Sequence, residues 1–155
     1  MITFKLLQSS QIEIITQMML DFYAIDNYAF KIVKTKELFK EFCANENLGK
    51  AYLIFNDNKI VGYFILTFVF SFEYQGRIAF LDELFIKNEQ RGLGIGNKTI
   101  QFILSLTNEF NIKMIYLEVE NHNENAQKLY LANDFEFHNR KIMTYKNQIT
   151  NYEIF

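Results

Sequence analysis

The sequence contains no proline and only one cysteine, Cys43. A single cysteine excludes a disulfide-rich scaffold and a cysteine-based metal site. Cys43 lies among apolar residues at helical spacing, so we expect it in or near the core and not as a nucleophile. Because proline is absent, turns must depend on glycine, asparagine and aspartate.

A long membrane-spanning run, a signal peptide and a strong net charge are also missing. The longest uncharged apolar run, Ile60–Phe72, is shorter than the about 18 residues of a spanning helix, and it predicts a buried strand. The first ten residues lack the basic-then-apolar layout of a signal peptide, so we expect a cytoplasmic protein without a membrane partner. The net charge of -2 gives no general basic footprint for nucleic acid.

The chain has 155 residues, half of them hydrophobic, which predicts a single folded domain over residues 1–155. Residue periodicity and turn signals predict a mixed α/β sheet with helices on both sides. The first half is predicted to contain a strand over Thr3–Gln8, a helix behind a capping box at Ser10 and Glu13, and a helix over Thr35–Ala44. Three strands follow over Ala51–Phe55, Ile60–Phe72 and Ile78–Ile86, with turns at Asn56–Asn58 and Gln75–Gly76. The remaining predicted elements are a helix after Arg91, a strand over Met114–Val119, a helix along Ala126–Asn133 and last strands over Phe135–Lys146, with the tail to Phe155 as a candidate for one more.

The segment Leu84–Gly96 has the strongest chemical signal in the chain. A strand ends, a polar loop follows, and three glycines alternate into the start of a helix. Glycines let backbone N–H groups converge, and a helix N-terminus adds unpaired N–H groups with a positive dipole end. The segment therefore predicts a cradle for a pyrophosphate, to which Arg91 adds a charge. A glycine-rich turn without a ligand stays open as the alternative.

Two nucleotide-binding motifs are excluded at this turn. A P-loop requires Gly-Lys-Ser/Thr, which does not follow here. A Rossmann fingerprint requires a further glycine, and Asn97 occupies its position.

Three motifs resemble those of the GNAT superfamily of N-acetyltransferases. Arg91-x-x-Gly94-x-Gly96 resembles the family's acetyl-CoA pyrophosphate motif. Leu81–Ile86, Leu-Asp-Glu-Leu-Phe-Ile, resembles its fourth strand, closest to the type found in diamine (spermidine/spermine) acetyltransferases. Asn123–Tyr130 resembles its second cofactor motif, Asn-x-x-Ala-x-x-x-Tyr, and together the motifs cover roughly residues 80 to 135.

One residue departs from the family pattern. Where the family has Gly-Phe after the tyrosine helix, this chain has Asn133-Asp134-Phe135. Asparagine and aspartate are the residues besides glycine that best tolerate a left-handed helix end, so the departure affects local stability more than the assignment.

The resemblance implies a GNAT fold, with a mostly antiparallel mixed sheet splayed between strands 4 and 5. It also implies acetyl-CoA as co-substrate, no metal, and a small polyamine-like primary amine as acceptor and partner. The oligomeric state stays open, with a homodimer as one alternative. The implied cofactor contacts are Leu84, Phe85 and Ile86 for the pantetheine arm, the Leu84 N–H for the thioester carbonyl, Arg91, Gly92, Leu93, Gly94, Ile95, Gly96 and Asn97 for the pyrophosphate, and Asn123.

The chemistry requires a base, because only about one alkylamine in 2,500 is neutral at pH 7. Asp82 and Glu83 are adjacent on a strand and so point to opposite faces. Asp82 shares the parity of Leu84 and matches the family's substrate-facing acid, so we prefer it, although a β-bulge here would reverse the facing. Glu118 is a second candidate for substrate contact.

Tyr130 matches the family tyrosine and is the candidate acid for the departing thiolate; the alternative is a packed aromatic on the apolar stripe of its helix. The aromatics Tyr23, Tyr28, Phe70, Phe72 and Tyr74 wall the acceptor site or pack in the core. Two other functions stay open: the same chemistry on an aminoglycoside, amino acid or protein N-terminus, and an acyl-CoA-binding module without turnover.

Overall fold

In the part of the chain that the structure describes, five strands form one sheet and follow each other in it in chain order. The structure, a computed structural model, describes residues 1–147. The strands are β1 (Ile2–Leu6), β2 (Gly49–Asn56), β3 (Lys59–Ser71), β4 (Gly76–Ile86) and β5 (Ile112–Leu117). The helices are α1 (Ile12–Ile25), α2 (Ile32–Ala44), α3 (Ile95–Glu109) and α4 (Glu124–Leu131). Short 3-10 turns lie at Ser9–Gln11 and Asn88–Gln90.

The first four strands pair antiparallel, and β5 pairs parallel to β4. The β2–β3 hairpin turns at Asp57 and Asn58, whose φ angles of 46° and 69° are left-handed. Such angles at both central residues match the right-handed twist of the flanking strands. Gln75, with φ of 57°, turns the β3–β4 hairpin. Both turn predictions are confirmed.

Each face of the sheet carries its own apolar core. The helices α1 and α2 cover one face, where Ile15, Leu53 and Tyr63 are fully buried. The helix α3 covers the other face through Ile100 and Ile103, with α4 beside it. The prediction of a mixed sheet with helices on both faces is therefore confirmed. Cys43 packs at the edge of the α1–α2 core, as predicted.

A β-bulge interrupts β4 at Asp82. Ile65 of β3 lies opposite Glu83, while the next residue, Leu66, lies opposite Leu81. Asp82 therefore has no partner on β3. Because the extra residue shifts the alternation of side chains, Leu81 and Leu84 both contact the α3 core although they are three residues apart.

The strands β4 and β5 part at the same level. Their parallel pairing runs from Arg77 beside Ile112 to Leu81 beside Leu117, where β5 ends. Beyond Leu81, β4 continues to Ile86 with a pairing partner on its β3 side only. The predicted splay between the fourth and fifth strands is thus a gap with one unpaired edge of β4.

The prediction of strands over Phe135–Lys146 is wrong, because residues 135–147 contain no strand. Phe137, Ile142, Met143 and Tyr145 are all exposed, so the segment does not bury the apolar side chains that stabilise a strand. One polar contact of the segment is the side-chain pair between Arg140 and Glu73. Most of the predicted tail strand lies outside the described residues.

The predicted capping box at Ser10 and Glu13 is also wrong. The backbone N–H of Gln8 donates to Gln11 Oε1 at 3.0 Å, so the box closes the preceding 3-10 turn, two residues earlier. Glutamine carries the same side-chain acceptor as glutamate at this position. Among residues 1–147, no helix has the length and apolar character required to cross a membrane.

Candidate functional site

The gap beside β4 exposes backbone groups at alternate residues. The N–H of Lys87 donates to the carbonyl of Val61 at 2.9 Å. Hydrogen-bonded pairs alternate along an antiparallel ladder, so the next such pair is Phe85 with Tyr63. The backbone groups of Leu84 and Ile86 therefore point to the side from which β5 is missing.

The Ile86 carbonyl at this edge already has a partner. Arg91 folds back from the following loop, and its Nε donates to the Ile86 oxygen at 2.9 Å. This contact holds the loop against the end of β4. The Leu84 N–H lies one alternate position further into the gap and has no strand partner there.

The glycine turn after β4 is open on its outer side. Gly92 and Gly94 adopt left-handed φ angles of 76° and 74°, and a Cβ added at either would meet no atom within 4 Å. The glycines are therefore required by the backbone conformation and not by crowding. Gly94 is the N-cap of α3, and among residues 1–147 no side chain caps this helix. Its first-turn N–H groups remain free for an anion.

The other residues predicted for the cradle have different positions around the same turn. Ile95 is buried in the α3 core and anchors the helix start, whereas Leu93 is 63% exposed. Gly96 faces α4, and a Cβ there would lie 3.1 Å from Leu129 Cδ2. Asn97 follows on the exposed side of the first turn of α3. The sequence motif thus becomes one continuous turn at the end of the gap.

The helix α4 places Tyr130 beside the gap. Tyr130 is half-buried against Phe135, with ring centroids 5.7 Å apart, and packs on the α3 core with Leu84 and Ile86. Burial raises the pKa of its phenol to about 12. Among residues 1–147 its hydroxyl has no hydrogen-bond partner. Tyr130 is both packed and left with a free hydroxyl, so a role as a packed aromatic and a role as a proton donor are compatible.

Asn123 caps α4, as predicted, since its Oδ1 accepts a hydrogen bond from the Ala126 N–H at 3.1 Å. At the other end of the helix, Asp134 adopts a left-handed φ of 64°. The aspartate therefore takes the conformation expected where the family has glycine.

The carboxylate of Glu83 is buried between two phenols. Tyr23 of α1 donates to its Oε1 at 2.7 Å, and Tyr63 of β3 donates to its Oε2 at 2.6 Å. Burial raises the pKa of Glu83, the two phenols lower it in part, and the charge of Asp82 raises it again. Both oxygens are thus engaged, and Glu83 ties α1 to the sheet.

Asp82 lies at the bulge, where the strands part, and its side chain reaches the surface. Partial burial raises the pKa of Asp82, and the negative charge of Glu118, just after β5, raises it further. The two carboxylates therefore face the same space at the mouth of the gap. A carboxylate whose pKa is raised is a better proton acceptor than an ordinary aspartate.

Two loops meet next to this acidic mouth. The hydroxyl of Tyr28, between α1 and α2, donates to Glu120 Oε1 at 2.8 Å. Asp26 in the same loop lies 3.5 Å from His122 Nε2. Glu120 is linked to Glu83 through the adjacent rings of Tyr28 and Tyr23. Among residues 1–147, none of the carboxylates of Asp26, Asp82, Glu83, Glu118 and Glu120 forms an ion pair with lysine or arginine.

The aromatics proposed as walls of the acceptor site separate into two groups. Tyr23 and Tyr28 lie at the acidic mouth, with ring centroids 6.1 Å apart. Phe70 and Phe72 are exposed near the β3–β4 turn, at the opposite end of β4, so neither packs in the core, and their place in an acceptor wall stays a prediction. Tyr74 belongs to that second group and hydrogen-bonds Tyr116 at 2.9 Å.

Tyr63 was not singled out from the sequence, because its contact with Glu83 depends on strand register. Among residues 1–147, no three histidine, cysteine, aspartate or glutamate side chains are grouped to hold a metal ion.

Comparison with known proteins gives one family and a consistent fold. The model of the acetyltransferase (GNAT) family matches residues 16–135. Thialysine N-epsilon-acetyltransferase from Bos taurus is 33% identical over 73 residues, which are 47% of this chain and only 42% of that protein. A possible acetyltransferase from Clostridium difficile 630 superposes with a TM-score of 0.84 at 18% identity, over 94% of this chain and 97% of that one. A predicted acetyltransferase from Clostridium acetobutylicum, solved with acetyl-CoA, superposes with a TM-score of 0.78 at 14% identity, over 94% of this chain and 96% of that one.

Proposed function

The chain belongs to the GNAT family of acetyltransferases, and from this premise we propose that it transfers the acetyl group of acetyl-CoA to the primary amine of a small cationic acceptor. The observation that carries the proposal is the continuity of three features. The unpaired edge of β4 at Leu84 leads at one end to the open glycine turn. At its other end it meets the acidic mouth at Asp82.

The residues at the gap and the turn fit acetyl-CoA. The backbone groups of Leu84 and the N–H of Ile86 suit the amides of a pantetheine arm lying in place of a missing strand. We assign Phe85 a packing role, because its backbone pairs with β3 and its side chain is buried in the α1–α2 core. The turn from Arg91 to Asn97 suits the pyrophosphate, since open glycine N–H groups and a helix N-terminus favour anions. Asn123 contributes by holding the start of α4.

The Leu84 N–H is the proposed donor to the thioester carbonyl. Negative charge develops on that oxygen as the amine attacks, and a fixed backbone donor stabilises it without rearrangement. Losing one such donor typically costs about 10²–10³ in rate. The β5 pairing ends at Leu81, directly before the bulge and three residues before Leu84.

Asp82 is the proposed proton acceptor. The acceptor amine enters mainly as an ammonium ion and must lose a proton before attack. Asp82 lies at the mouth, reaches solvent, and has a raised pKa, so it takes this proton directly or through water. Glu83 instead positions α1 and β4, because both of its oxygens receive phenol hydrogens.

Tyr130 is the proposed proton donor to the departing thiolate. Its phenol stays protonated at neutral pH, since burial raises its pKa to about 12. Among residues 1–147 no group forms a hydrogen bond with its hydroxyl, so the hydroxyl is available to donate to the sulfur of coenzyme A. The same packing that raises the pKa holds the ring in place.

The acidic mouth supports a cationic acceptor. Glu118 and Asp82 are placed to attract an ammonium group, and the other carboxylates extend the negative region towards the α1–α2 loop. The bovine relative is named for an ε-amine. We therefore propose a diamine or polyamine-like acceptor, bound by the carboxylates at a distance from the reacting nitrogen.

A panel of amines assayed with acetyl-CoA for thiol release tests this function. Chain-matched pairs sharpen it: 1,4-diaminobutane against butylamine, for instance, differs by one distal cation. We expect the diamine to have the higher kcat/KM. A preference for aminoglycosides, amino acids or peptide N-termini would change the acceptor class. Binding of acetyl-CoA without thiol release from any amine would instead indicate an acyl-CoA-binding module.

A further inference from the structure

We propose that Asn133 is a positioning residue that turns the side-chain amide of Asn97 so that its NH2 group faces the pyrophosphate cradle. This inference rests on the proposed function, since it assumes that the turn before α3 holds a pyrophosphate. A hydrogen-bond relay connects α4 to α3. The relay consists of Leu129, Asn133, Asn97 and Gln101.

Asn133 lies just after α4 and is only 3% exposed. Its Nδ2 donates to the Leu129 carbonyl at 2.8 Å and to Asn97 Oδ1 at 2.9 Å. Its Oδ1 accepts from Gln101 Nε2 at 2.6 Å. Both N–H groups of this buried amide and its oxygen are therefore engaged.

The order of donors in this relay is fixed by one group that cannot change. A backbone carbonyl only accepts, so the Leu129 oxygen requires the nitrogen of Asn133 on its side. The same nitrogen lies next to Asn97, so Asn97 must present its oxygen to Asn133. Gln101 must then present its nitrogen to the remaining oxygen of Asn133.

The consequence falls on the free half of the Asn97 amide. With its oxygen held by Asn133, Asn97 directs its NH2 group away from α4. Asn97 is exposed in the first turn of α3, directly after Gly94 to Gly96. It therefore adds a side-chain donor to the free backbone N–H groups at this helix start, where a negatively charged ligand is favoured.

The relay is supported by close packing between the two helices. Gly96 has so little space beside Leu129 that an added Cβ would lie 3.1 Å from it. The backbone N–H of Asn133 also donates to the Tyr130 carbonyl at 2.9 Å. Asn133 thus connects α3 to the last turn of α4, which contains Tyr130.

The test substitutes Asn97, which is exposed, so that folding is not at risk. Asn97→Asp keeps an oxygen for Asn133 and replaces the outward NH2 with a second oxygen. Asn97→Ala removes both halves of the amide. Each is assayed with acetyl-CoA and with S-acetylpantetheine, which lacks the pyrophosphate.

We expect Asn97→Ala to raise the KM for acetyl-CoA by about tenfold, the scale of one hydrogen bond to a charged group. Asn97→Asp should raise it further, because a carboxylate would face the phosphates. Both variants should lose less kcat/KM with S-acetylpantetheine than with acetyl-CoA. An Asn97→Asp variant with a wild-type KM for acetyl-CoA would overturn the inference, since the oxygen would then already face the cradle.

Asn133→Ser completes the test, because serine is too short to hold the Asn97 amide. We expect it to raise the KM for acetyl-CoA and to add little in an Asn97→Ala background. Equal losses with acetyl-CoA and S-acetylpantetheine would show a merely structural role and overturn the inference. If the wild type itself did not prefer acetyl-CoA over S-acetylpantetheine, the proposed pyrophosphate cradle would be wrong as well, which separates the two failures.

Discussion

Tyr63 and Glu83, twenty residues apart on neighbouring strands, are joined by a 2.6 Å hydrogen bond from the phenol to the carboxylate. Tyr23 binds the second carboxylate oxygen from α1. Glu83 directly follows the bulged residue, so these two bonds act together with the β3 ladder in holding the orientation of β4 beyond the bulge. Leu84, whose backbone lies at the open strand edge, is the next residue along β4.

Tyr63→Phe should lower the free energy of unfolding by about 1.5–3 kcal/mol at neutral pH, the range for hydrogen bonds to charged groups. In the wild type, the hydrogen bond from Tyr63 lowers the pKa of Glu83. Without that bond the pKa of Glu83 is higher, so the folded variant holds this proton more tightly than the folded wild type. The deficit should therefore shrink as the pH falls through the folded-state pKa of Glu83.

Urea unfolding at a series of pH values measures this deficit. Tyr116→Phe is the matched control, because it removes a phenol–phenol bond without a carboxylate. A deficit in Tyr63→Phe that stays constant with pH would show that the bond does not act on the charge of Glu83.

Acetyl-CoA should raise the melting temperature of the wild type, because a ligand of the folded state alone stabilises it. Gly94→Asp should abolish that shift, since a carboxylate would enter the cradle. Gly94→Asn is the matched variant: it has the same size, also tolerates a left-handed φ, and is neutral, so it should keep more of the shift. Equal shifts in both variants would contradict the prediction that a negative charge at position 94 repels the ligand.

Asp82→Asn should lower kcat by about 10²–10⁴ if Asp82 is the base. The loss should be larger at pH 7 than at pH 9, where more of the amine is already neutral. Steady-state rates at both pH values check this. Glu83→Gln is the comparison, and a larger, pH-dependent loss there would transfer the base role to Glu83.

Glu118→Gln should move the acidic limb of the kcat/KM profile to lower pH. The negative charge of Glu118 raises the pKa of Asp82, so removing it lets Asp82 lose its proton at lower pH. A pH–rate profile from pH 4 to 8 measures the shift. An unchanged limb would mean that another group titrates there.

Tyr130→Phe should leave acetyl-CoA affinity nearly intact, because the ring and its packing on Phe135 remain. The loss of the hydroxyl should lower kcat by about 10²-fold, the low end for a general acid, since a thiol is already a fair leaving group. Single-turnover acetylation at saturation with both substrates measures the chemical step. A wild-type rate would leave Tyr130 as a packed aromatic only.

Local patterns were enough to predict several parts of this molecule. The hairpin turn at Asp57-Asn58, the cap at Asn123 and the left-handed Asp134 each follow from the chemistry of one or two residues. The glycine turn was equally visible, because its conformation is encoded where it occurs. The resemblance to a family added the splayed strands, which no local pattern predicts.

The remaining features depend on contacts between distant residues. Tyr23 meets Glu83 across sixty residues, and Tyr28 meets Glu120 across ninety-two. The bulge at Asp82 depends on the register against β3, so parity along one strand could not assign a face to either acid. Over Phe135–Lys146 the apolar residues suggested strands, but a strand also requires a partner and burial.

The bulge also has a consequence for deletions of one residue between Leu81 and Leu84. A regular strand has room for one residue between two leucines on the same face, whereas this strand holds two between Leu81 and Leu84. Loss of a single codon here would leave both leucines on the α3 core and restore an unbroken ladder with β3. We expect the fold to tolerate such a deletion, which leaves one acid in place of the surface carboxylate and the buried one.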